Sequence, residues 1–275
     1  MTKITTGQKL TEEEIFSLIS AINQGEVSDV QIAGFRVGLL MKGTSLEELS
    51  AFAKAMRANC VPLRPHVSAE LMDTCGTGGG LSTFNISTAT ALMAAAAGIP
   101  VAKHGSRSIS SLSGSADVLE ALGVNINLTP RQAERLIEEI GIACIYAPLC
   151  HPVMCKVLPP ETELGIKTIF YTIIGPLINP AFAPRHLLGV YKPELLDTVT
   201  YVARELGYPG CLPRQQPDRL HLYGLHPVVA DCGRGGHRPG VRVRDLQLQP
   251  LQRLPRRLRH LLQFSDHHSG GADRR

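Results

Sequence analysis

The chain has 275 residues and is 44% hydrophobic, which is enough for one large or two modest domains with a sizeable core. It contains no apolar run long enough to span a membrane, and its N-terminus lacks the apolar segment of a signal peptide. Its seven cysteines include no C-x-x-C pair, which favours reduced thiols over a disulfide framework or a zinc site. We therefore expect a cytoplasmic protein with no membrane partner.

The net charge of +4 is unevenly distributed. Residues 1–208 hold 16 Lys and Arg against 19 Asp and Glu, whereas residues 209–275 hold 12 Arg against 5 Asp. The second part also contains no Lys, Glu, Ile, Thr, Asn or Met. This change in composition predicts a globular body followed by an aberrant basic tail.

Three capping signals predict a helical domain over residues 1–65. Each places a Ser or Thr three residues before a Glu or Gln, ahead of an apolar stripe. The pairs are Thr11 and Glu14, Ser28 and Gln31, and Ser45 and Glu48. Pro62 and Pro65 then mark a linker.

Residues 66–208 alternate short apolar runs with helices, which predicts an α/β domain with a mainly parallel sheet. The expected strands lie near 71–75, 99–102, 124–126 and 142–146, with helices at 86–97, 116–122 and 129–140 between them. In such sheets, ligands bind beyond the carboxyl ends of the strands. The segment near 155–185 is a candidate for packing with the helical domain.

A glycine-rich loop follows the first expected strand. Four of the five residues from Gly76 to Gly80 are glycines, and a run of hydroxyl and amide side chains follows them into an apolar helix. Glycines allow a close approach of the backbone to a ligand, and the start of a helix attracts anions. The loop therefore indicates a phosphate cradle, although a plain turn has the same appearance.

A second polar segment, Lys103 to Ser111, follows the next strand. It carries two cations and four serines within nine residues, and Ser113 to Asp117 then opens another helix. Lysine binds a phosphate as a point charge, and arginine binds it through two parallel N–H groups. The two segments together favour a polyphosphate ligand over a solvated loop with surface cations. His104 is open to interpretation as a base or as a hydrogen-bond partner, and His151 as a strand cap.

Three stretches resemble the anthranilate phosphoribosyltransferase family: GTGGGLSTFNIST at 76–88, KHGSRSISSLSGSADVLEALG at 103–123 and GIKTIFYTIIGPLINP at 165–180. The resemblance runs from about residue 8 to Tyr208. It implies a helical domain joined to an α/β domain of the nucleoside phosphorylase type, and a homodimer. It also implies the second step of tryptophan synthesis: with Mg²⁺, the phosphoribosyl group of 5-phosphoribosyl 1-diphosphate is transferred to anthranilate.

The resemblance implies a set of substrate-binding residues and no catalytic acid or base, since positioning and electrostatics carry such a reaction. Ser87 is also the implied magnesium contact. The set is Gly76, Gly79, Gly80, Thr83, Asn85, Ile86, Ser87, Thr88, Lys103, His104, Gly105, Ser106, Arg107, Ser108, Ile109, Ser110, Ser111, Ser115 and Glu161.

Three residues depart from the family pattern. Gly80 replaces an Asp, and Ser106 replaces an Asn that contacts anthranilate. Glu161 replaces the Arg that meets the anthranilate carboxylate, so we expect either a compensating cation, such as Lys156 or Lys167, or a different acceptor. A related transferase or phosphorylase with another acceptor is therefore the alternative function.

The tail departs further. The family continues past Tyr208 with more strands and helices and with a magnesium-binding Asp-Glu pair, whereas residues 209–275 contain no Glu. Our hypothesis is an out-of-frame translation from about residue 209, because shifted reading of a GC-rich gene yields Arg, Pro, Gly, Leu, Gln and His. The alternative is a native, disordered basic extension that binds nucleic acid through phosphate contacts, in a non-catalytic relative. Only two aromatic residues stand in the tail, which disfavours nucleic acid as a partner. We expect weak or no turnover with retained diphosphate binding, and poor folding of the chain.

Overall fold

The structure is a computed structural model that describes residues 1–77, 84–108, 113–166, 168–190 and 192–208, and the backbone of 211–214 and 228–232. The helices are α1 (Thr2–Thr5), α2 (Glu12–Gln24), α3 (Asp29–Lys42), α4 (Leu46–Ala58), α5 (Ile86–Ala96), α6 (Ser115–Ala121), α7 (Pro130–Ile140), α8 (Ala147–Cys150), α9 (Pro152–Glu163), α10 (Gly175–Leu177) and α11 (Leu195–Glu205), with a π-helical turn at Phe170–Ile174. The strands are β1 (Met72–Gly76), β2 (Val101–Gly105), β3 (Ile142–Tyr146), β4 (Arg185–Val190), β5 (Cys211–Arg214) and β6 (Val228–Cys232).

A helical bundle forms first along the chain, as the capping signals predict. All three predicted capping boxes are present at the starts of α2, α3 and α4. Each box satisfies two backbone N–H groups that a helix end leaves without intrahelical partners. The bundle core includes Phe35 and Phe52, whose rings pack against Phe170 at centroid distances of 6.3 and 5.2 Å. The π-helical turn is thereby anchored in the bundle.

The sheet has the order β3-β2-β1-β4-β6-β5. Strands β1 to β4 pair in parallel, whereas β6 pairs antiparallel with both β4 and β5. The fold class is confirmed: a helical N-terminal domain accompanies an α/β domain whose sheet is mainly parallel.

One strand prediction is wrong, and one strand of the parallel part of the sheet was missed. The strand expected at 124–126 is absent, and this connection instead places Ile126 in a buried cluster with Ala116 and Leu119. The Asn125 side chain accepts the N–H of Asn127 at 2.9 Å, a local turn that competes with strand pairing. Strand β4, which lies between β1 and β6, was not predicted at all.

The segment after β3 returns to the helical bundle. Helix α9 packs against α2 and α3, and Val153, Met154 and Val157 of α9 belong to the same apolar cluster as the bundle core. The last buried helix, α11, packs against α4.

The tail contributes two short strands to the sheet, β5 and β6. The remainder of residues 209–275 lies outside the described residues, so the origin of the tail remains a hypothesis. Across the described part of the chain, no helix has the length and apolar character needed to cross a membrane.

Candidate anion-binding site

Two loops meet at the carboxyl ends of β1 and β2. Gly76 ends β1 and Gly105 ends β2, so the Gly-rich loop and the Lys103–Ser111 segment both start at this edge of the sheet. Several predicted site residues lie outside the described residues: Gly79, Gly80, Thr83, Ile109, Ser110 and Ser111. The residues on either side of these gaps define the geometry of the site.

Asn85 connects the two loops. It occupies the N-cap position of α5, but its side chain makes no capping bond there. Its amide nitrogen instead donates to the carbonyl of Gly114 at 3.3 Å and lies 3.5 Å from Ser113 Oγ. The start of α5, with its positive dipole end, is thereby fixed beside the second loop.

The second loop is folded tightly on the start of α6. Asp117 accepts the N–H of Gly114 at 2.7 Å and that of Ser108 at 3.0 Å, and these two bonds lower the pKa of its carboxyl. The carbonyl of Ser106 accepts from the Ser115 hydroxyl at 3.4 Å. A Cβ at Gly105 would lie 2.1 Å from Ser115 Oγ, so a larger residue there would displace the Ser115 hydroxyl from this position.

Lys103 is the buried cation of the site. Its Nζ donates to the carbonyl of Thr74 at 2.7 Å and to that of His104 at 3.1 Å, so the ammonium lies between the ends of β1 and β2. A lysine ammonium has three N–H donors, and these two carbonyls leave one of them without an acceptor in the part of the chain that the structure describes. The structure therefore places the Lys103 ammonium between β1 and β2, the strands from which the two polar loops start, and its contact with a phosphate stays a prediction.

Arg107 has a different environment. Its guanidinium is half-exposed and forms ion pairs with Asp117 at 3.1 Å and with Glu120 at 2.8 Å. The hydrogen bonds to Glu120 and Asp117 raise the pKa of Arg107. Carboxylates of α6 thus offset the second cation of this loop, and Lys103 is the better placed anion ligand.

The first residues of α5 differ in how far they are exposed. Ile86 is exposed, Ser87 is half-buried, and the Ser87 carbonyl accepts the Thr74 hydroxyl at 2.7 Å. Thr88 is buried, and its Oγ1 has no hydrogen-bond partner among the described residues. This orphaned hydroxyl at a helix start is a polar group that a ligand of the loop would satisfy.

The described residues do not make a complete magnesium site. They contain no group of three or more His, Cys, Asp or Glu able to hold a metal. Mg²⁺ in phosphate-binding enzymes is usually held by one or two carboxylates together with substrate phosphates. Ser87 offers only a neutral oxygen, so the donor set does not fit the ion without further ligands.

Two histidines lie beneath the second loop. His104 and His151 are buried, with their Nε2 atoms 3.2 Å apart, so one ring donates a proton and the other accepts it. Burial lowers the pKa of His104 well below 6.5 and that of His151 to about 4, so both rings are neutral at pH 7. His151 contacts His104 instead of capping a strand.

Sequence reasoning missed Asp73, whose carboxylate accepts the His104 N–H at 3.1 Å. The available signal was a carboxylate inside a short strand that is otherwise largely uncharged.

Glu161 forms a buried ion pair. Its carboxylate binds the guanidinium of Arg36 and accepts the N–H of Thr168. Arg36 was not among the cations expected to compensate Glu161, and its guanidinium also lies 4.3 Å from the Phe170 ring centroid. Burial lowers the pKa of Arg36 to about 9.

The two lysines that were expected to compensate Glu161 are not seen to do so. Lys156 donates to the Asn23 carbonyl at 3.0 Å, and Lys167 lies outside the described residues. An arginine within the apolar stripe of α3 was the signal that sequence reasoning missed.

Comparisons with known proteins agree with this architecture. Residues 1–60 match the helical bundle domain of a glycosyl transferase family, and residues 68–212 match the a/b domain of a glycosyl transferase family. The anthranilate phosphoribosyltransferase of Acetivibrio thermocellus is 50% identical over 208 residues, which are 75% of this chain and 60% of that protein. The enzyme of the same name from Persephonella marina is 47% identical over 206 residues, 74% of this chain and 60% of that protein.

Solved structures show the same likeness. The anthranilate phosphoribosyltransferase of Thermus thermophilus superposes with a TM-score of 0.70 at 44% identity, over 76% of this chain and 63% of that one. The Saccharomyces cerevisiae enzyme, in complex with PRPP and Mg, gives a TM-score of 0.64 at 26% identity, over 72% of this chain and 58% of that one. The chain thus spans about 60% of the length of the curated relatives it matches. With both of its domain models matched in order, the chain belongs to this glycosyl transferase family.

Proposed function

We propose that the chain binds 5-phosphoribosyl 1-diphosphate and transfers its phosphoribosyl group to anthranilate, giving N-(5-phosphoribosyl)anthranilate in tryptophan biosynthesis. The observation that carries the proposal is the junction of the two loops. Asn85 ties the start of α5 to Gly114, while Lys103 lies between the ends of β1 and β2. Relatives that bear the name anthranilate phosphoribosyltransferase, at 50% and 47% identity, support this choice of substrates.

In the proposed reaction, the anthranilate nitrogen forms a bond to C1 of the ribose. The bond from C1 to the diphosphate oxygen breaks, the diphosphate leaves with the electron pair, and the amine proton passes to solvent. Lys103 and the start of α5 offer positive charge where negative charge builds up on the leaving group. Magnesium is proposed to accompany the diphosphate, with Ser87 as one protein contact beside oxygen ligands that the substrate would supply.

Calorimetric titration with 5-phosphoribosyl 1-diphosphate, with and without Mg²⁺, tests the proposal directly. We expect saturable binding that Lys103→Met weakens by at least about 10-fold, because a charge-assisted bond is worth roughly 1.5–3 kcal/mol. Turnover, followed by the loss of anthranilate fluorescence, is expected to be weak. Absence of diphosphate binding by the unmodified chain would contradict every transferase reading.

A different acceptor is the second candidate. The observation that favours it is the burial of Glu161 in an ion pair with Arg36, together with Ser106 in the second loop. Steady-state assays that compare anthranilate with other aromatic amines and with nucleobases separate the two candidates. A clear preference for another acceptor would replace anthranilate and leave the diphosphate site as proposed.

We also propose a homodimer that is formed through the outer face of α3. This face exposes apolar side chains, among them Val30 and Met41, both 82% exposed, and Leu40. Exposed apolar groups that lie together on one helix favour a protein partner, and a second copy is the commonest one.

A further inference from the structure

A cluster of ionisable side chains lies buried beneath the two loops. Its members are each at most 3% exposed: Asp73 on β1, Lys103 and His104 on β2, His186 on β4, and His151 before α9. Buried charges are costly unless they are paired and hydrogen-bonded. This cluster is therefore expected to serve the loops above it.

The Asp73 carboxylate forms one hydrogen bond and lies close to a second polar group without bonding to it. Its Oδ1 accepts the N–H of His104 at 3.1 Å. Its Oδ2 lies 3.6 Å from His186 Nε2, beyond a normal hydrogen bond, and has no other hydrogen-bond partner among the described residues. Burial lowers the pKa of His186, so this ring is neutral at pH 7 and does not compensate the carboxylate.

Lys103 is the cation that complements Asp73. Both charges act on the buried His186 ring, Asp73 raising its pKa and Lys103 lowering it. Burial raises the pKa of the Cys75 and Cys144 thiols to about 11, and here too Lys103 lowers the pKa while Asp73 raises it. The carboxylate and the ammonium thus lie in one apolar environment, and in the described part of the chain no direct bond joins them.

The connection runs through the backbone. Asp73 binds the amide of His104, and the carbonyl of His104 binds the Lys103 ammonium. The other acceptor of that ammonium is the carbonyl of Thr74, the residue that follows Asp73 in β1. The Asp73 side chain therefore bonds to the residue of β2 that provides one acceptor of the lysine, and Asp73 directly precedes the residue of β1 that provides the other.

We propose that Asp73 is a positioning residue of the anion site: it fixes the carbonyl groups that hold the Lys103 ammonium, and its negative charge keeps that ammonium buried between β1 and β2. The inference rests on the proposed function only for the identity of the anion. Asp73 does not touch the ligand in this arrangement, and its effect passes through Lys103.

Asp73→Asn tests the proposal because the amide oxygen can still accept the His104 N–H, while the charge is lost. We expect its affinity for 5-phosphoribosyl 1-diphosphate, measured by calorimetry, to fall roughly 10–100-fold, the usual effect of losing a partner that orients a ligand-binding group. In a Lys103→Met background, the same change should cost little more. Equal, additive losses in the two backgrounds would overturn the proposal.

Glu48→Gln is the matched control. Glu48 is also a buried carboxylate, and it binds Lys42 at 2.8 Å within the helical bundle. This variant loses a buried charge pair without touching the strand ends, so its diphosphate affinity should equal that of the unmodified chain. An equal loss of affinity in both variants would indicate a purely structural role for Asp73.

A ligand-free measurement separates this inference from the proposed function. The side-chain ammonium of Lys103, observed by ¹H–¹⁵N NMR and assigned through Lys103→Met, should give a protected signal that disappears in Asp73→Asn and remains in Glu48→Gln. An unchanged signal in Asp73→Asn contradicts the positioning role. If that signal is lost but the unmodified chain binds no diphosphate, the proposed function alone fails.

Folding provides the remaining check. If Asp73→Asn does not fold, the cause under this proposal is the uncompensated charge of Lys103. The double variant Asp73→Asn/Lys103→Met, which removes both charges, should then recover its folded circular dichroism spectrum. Failure of the double variant to recover would contradict the charge relation between the two residues.

Discussion

Close backbone contacts at single residues shape the second loop. A Cβ placed at Gly114 would lie 2.4 Å from the amide nitrogen of Ser108 and 2.7 Å from the carbonyl oxygen of Ser106. These neighbours are backbone atoms, which cannot swing aside as a flexible side chain can. Gly114 therefore permits the contact between the loop and α6 that holds Asn85 in place.

Gly114→Ala should separate the loop from α6 and weaken diphosphate binding by at least about 10-fold, with a loss of roughly 1–3 kcal/mol in the free energy of unfolding from overpacking. Calorimetry and urea denaturation measure the two effects. Gly34→Ala is the control, since its Cβ would meet only the tip of Met1 at 3.5 Å and an alanine inside a helix stabilises by about 0.5–1 kcal/mol. If Gly114→Ala binds the diphosphate as tightly as the unmodified chain, the loop shifts to make room for the methyl group, and close packing at this position is not required for binding.

At the scale of elements, a buried ion pair joins α9 to α3. Arg36 on α3 binds Glu161 on α9, and Glu161 also holds Thr168 just before the π-helical turn. Arg36 Nε and Nη1 have no hydrogen-bond partner among the described residues. The pair therefore fixes the relative position of two helices without satisfying all of its own donors.

Removing one member of this pair should be more damaging than removing both. We expect Glu161→Leu to lower the free energy of unfolding by about 3–5 kcal/mol, and Arg36→Leu/Glu161→Leu to recover most of that loss, because an unpaired buried charge costs more than an apolar replacement. Urea denaturation measures both. Glu139→Gln, at the exposed pair with Arg135, should change stability by less than about 1 kcal/mol. If the single and double variants lose the same free energy of unfolding, the unpaired charge of Arg36 is not the cause of the loss, and the prediction is wrong.

For the whole molecule, three buried neutral histidines predict sensitivity to acid. Burial lowers the pKa of His104, His151 and His186 below the ordinary value of 6.5. The unfolded chain therefore binds more protons than the folded chain below that pH, and stability falls as the pH drops from 6.5. For His151, with a pKa of about 4, the loss approaches about 1.4 kcal/mol for each pH unit down to pH 4.

Urea denaturation between pH 7 and pH 4.5 measures this dependence. His151→Asn should show a shallower fall in stability with pH than the unmodified chain, because it removes a buried ring whose pKa is lowered by burial. A slope that is unchanged in His151→Asn would mean that this ring does not remain neutral in the folded protein.

Assembly is a second property of the whole molecule. If the outer face of α3 forms a homodimer, Met41→Glu should convert the protein to a monomer in light scattering, because it places a charge in an apolar interface. Glu26→Gln, on the turn after α2, is a control that should leave the oligomeric state unchanged. A dimer that survives Met41→Glu would locate its interface elsewhere.

The origin of residues 209–275 also concerns the whole molecule. Similarity to the relatives extends over 206 to 208 residues, and the family model ends at residue 212, close to the change in composition near residue 209. Sequencing the gene around codon 208 tests the hypothesis of a shifted reading frame. A confirmed, uninterrupted frame would leave a native basic extension as the explanation, and strands β5 and β6 as its contribution to the sheet.

Local signals in the sequence sufficed for the helical domain, the three capping boxes and the two polar loops at strand ends, since capping bonds span only three residues. The connection at 124–126 was misread because an isolated buried Ile126 imitates a strand. Only the tertiary structure decided the partners of the site: Asp73 binds His104 31 residues away, Asn85 binds Gly114 29 residues away, and Arg36 binds Glu161 125 residues away. Those pairings depend on which strands and helices become neighbours, and periodicity and local propensity carry no information about contacts at such separations.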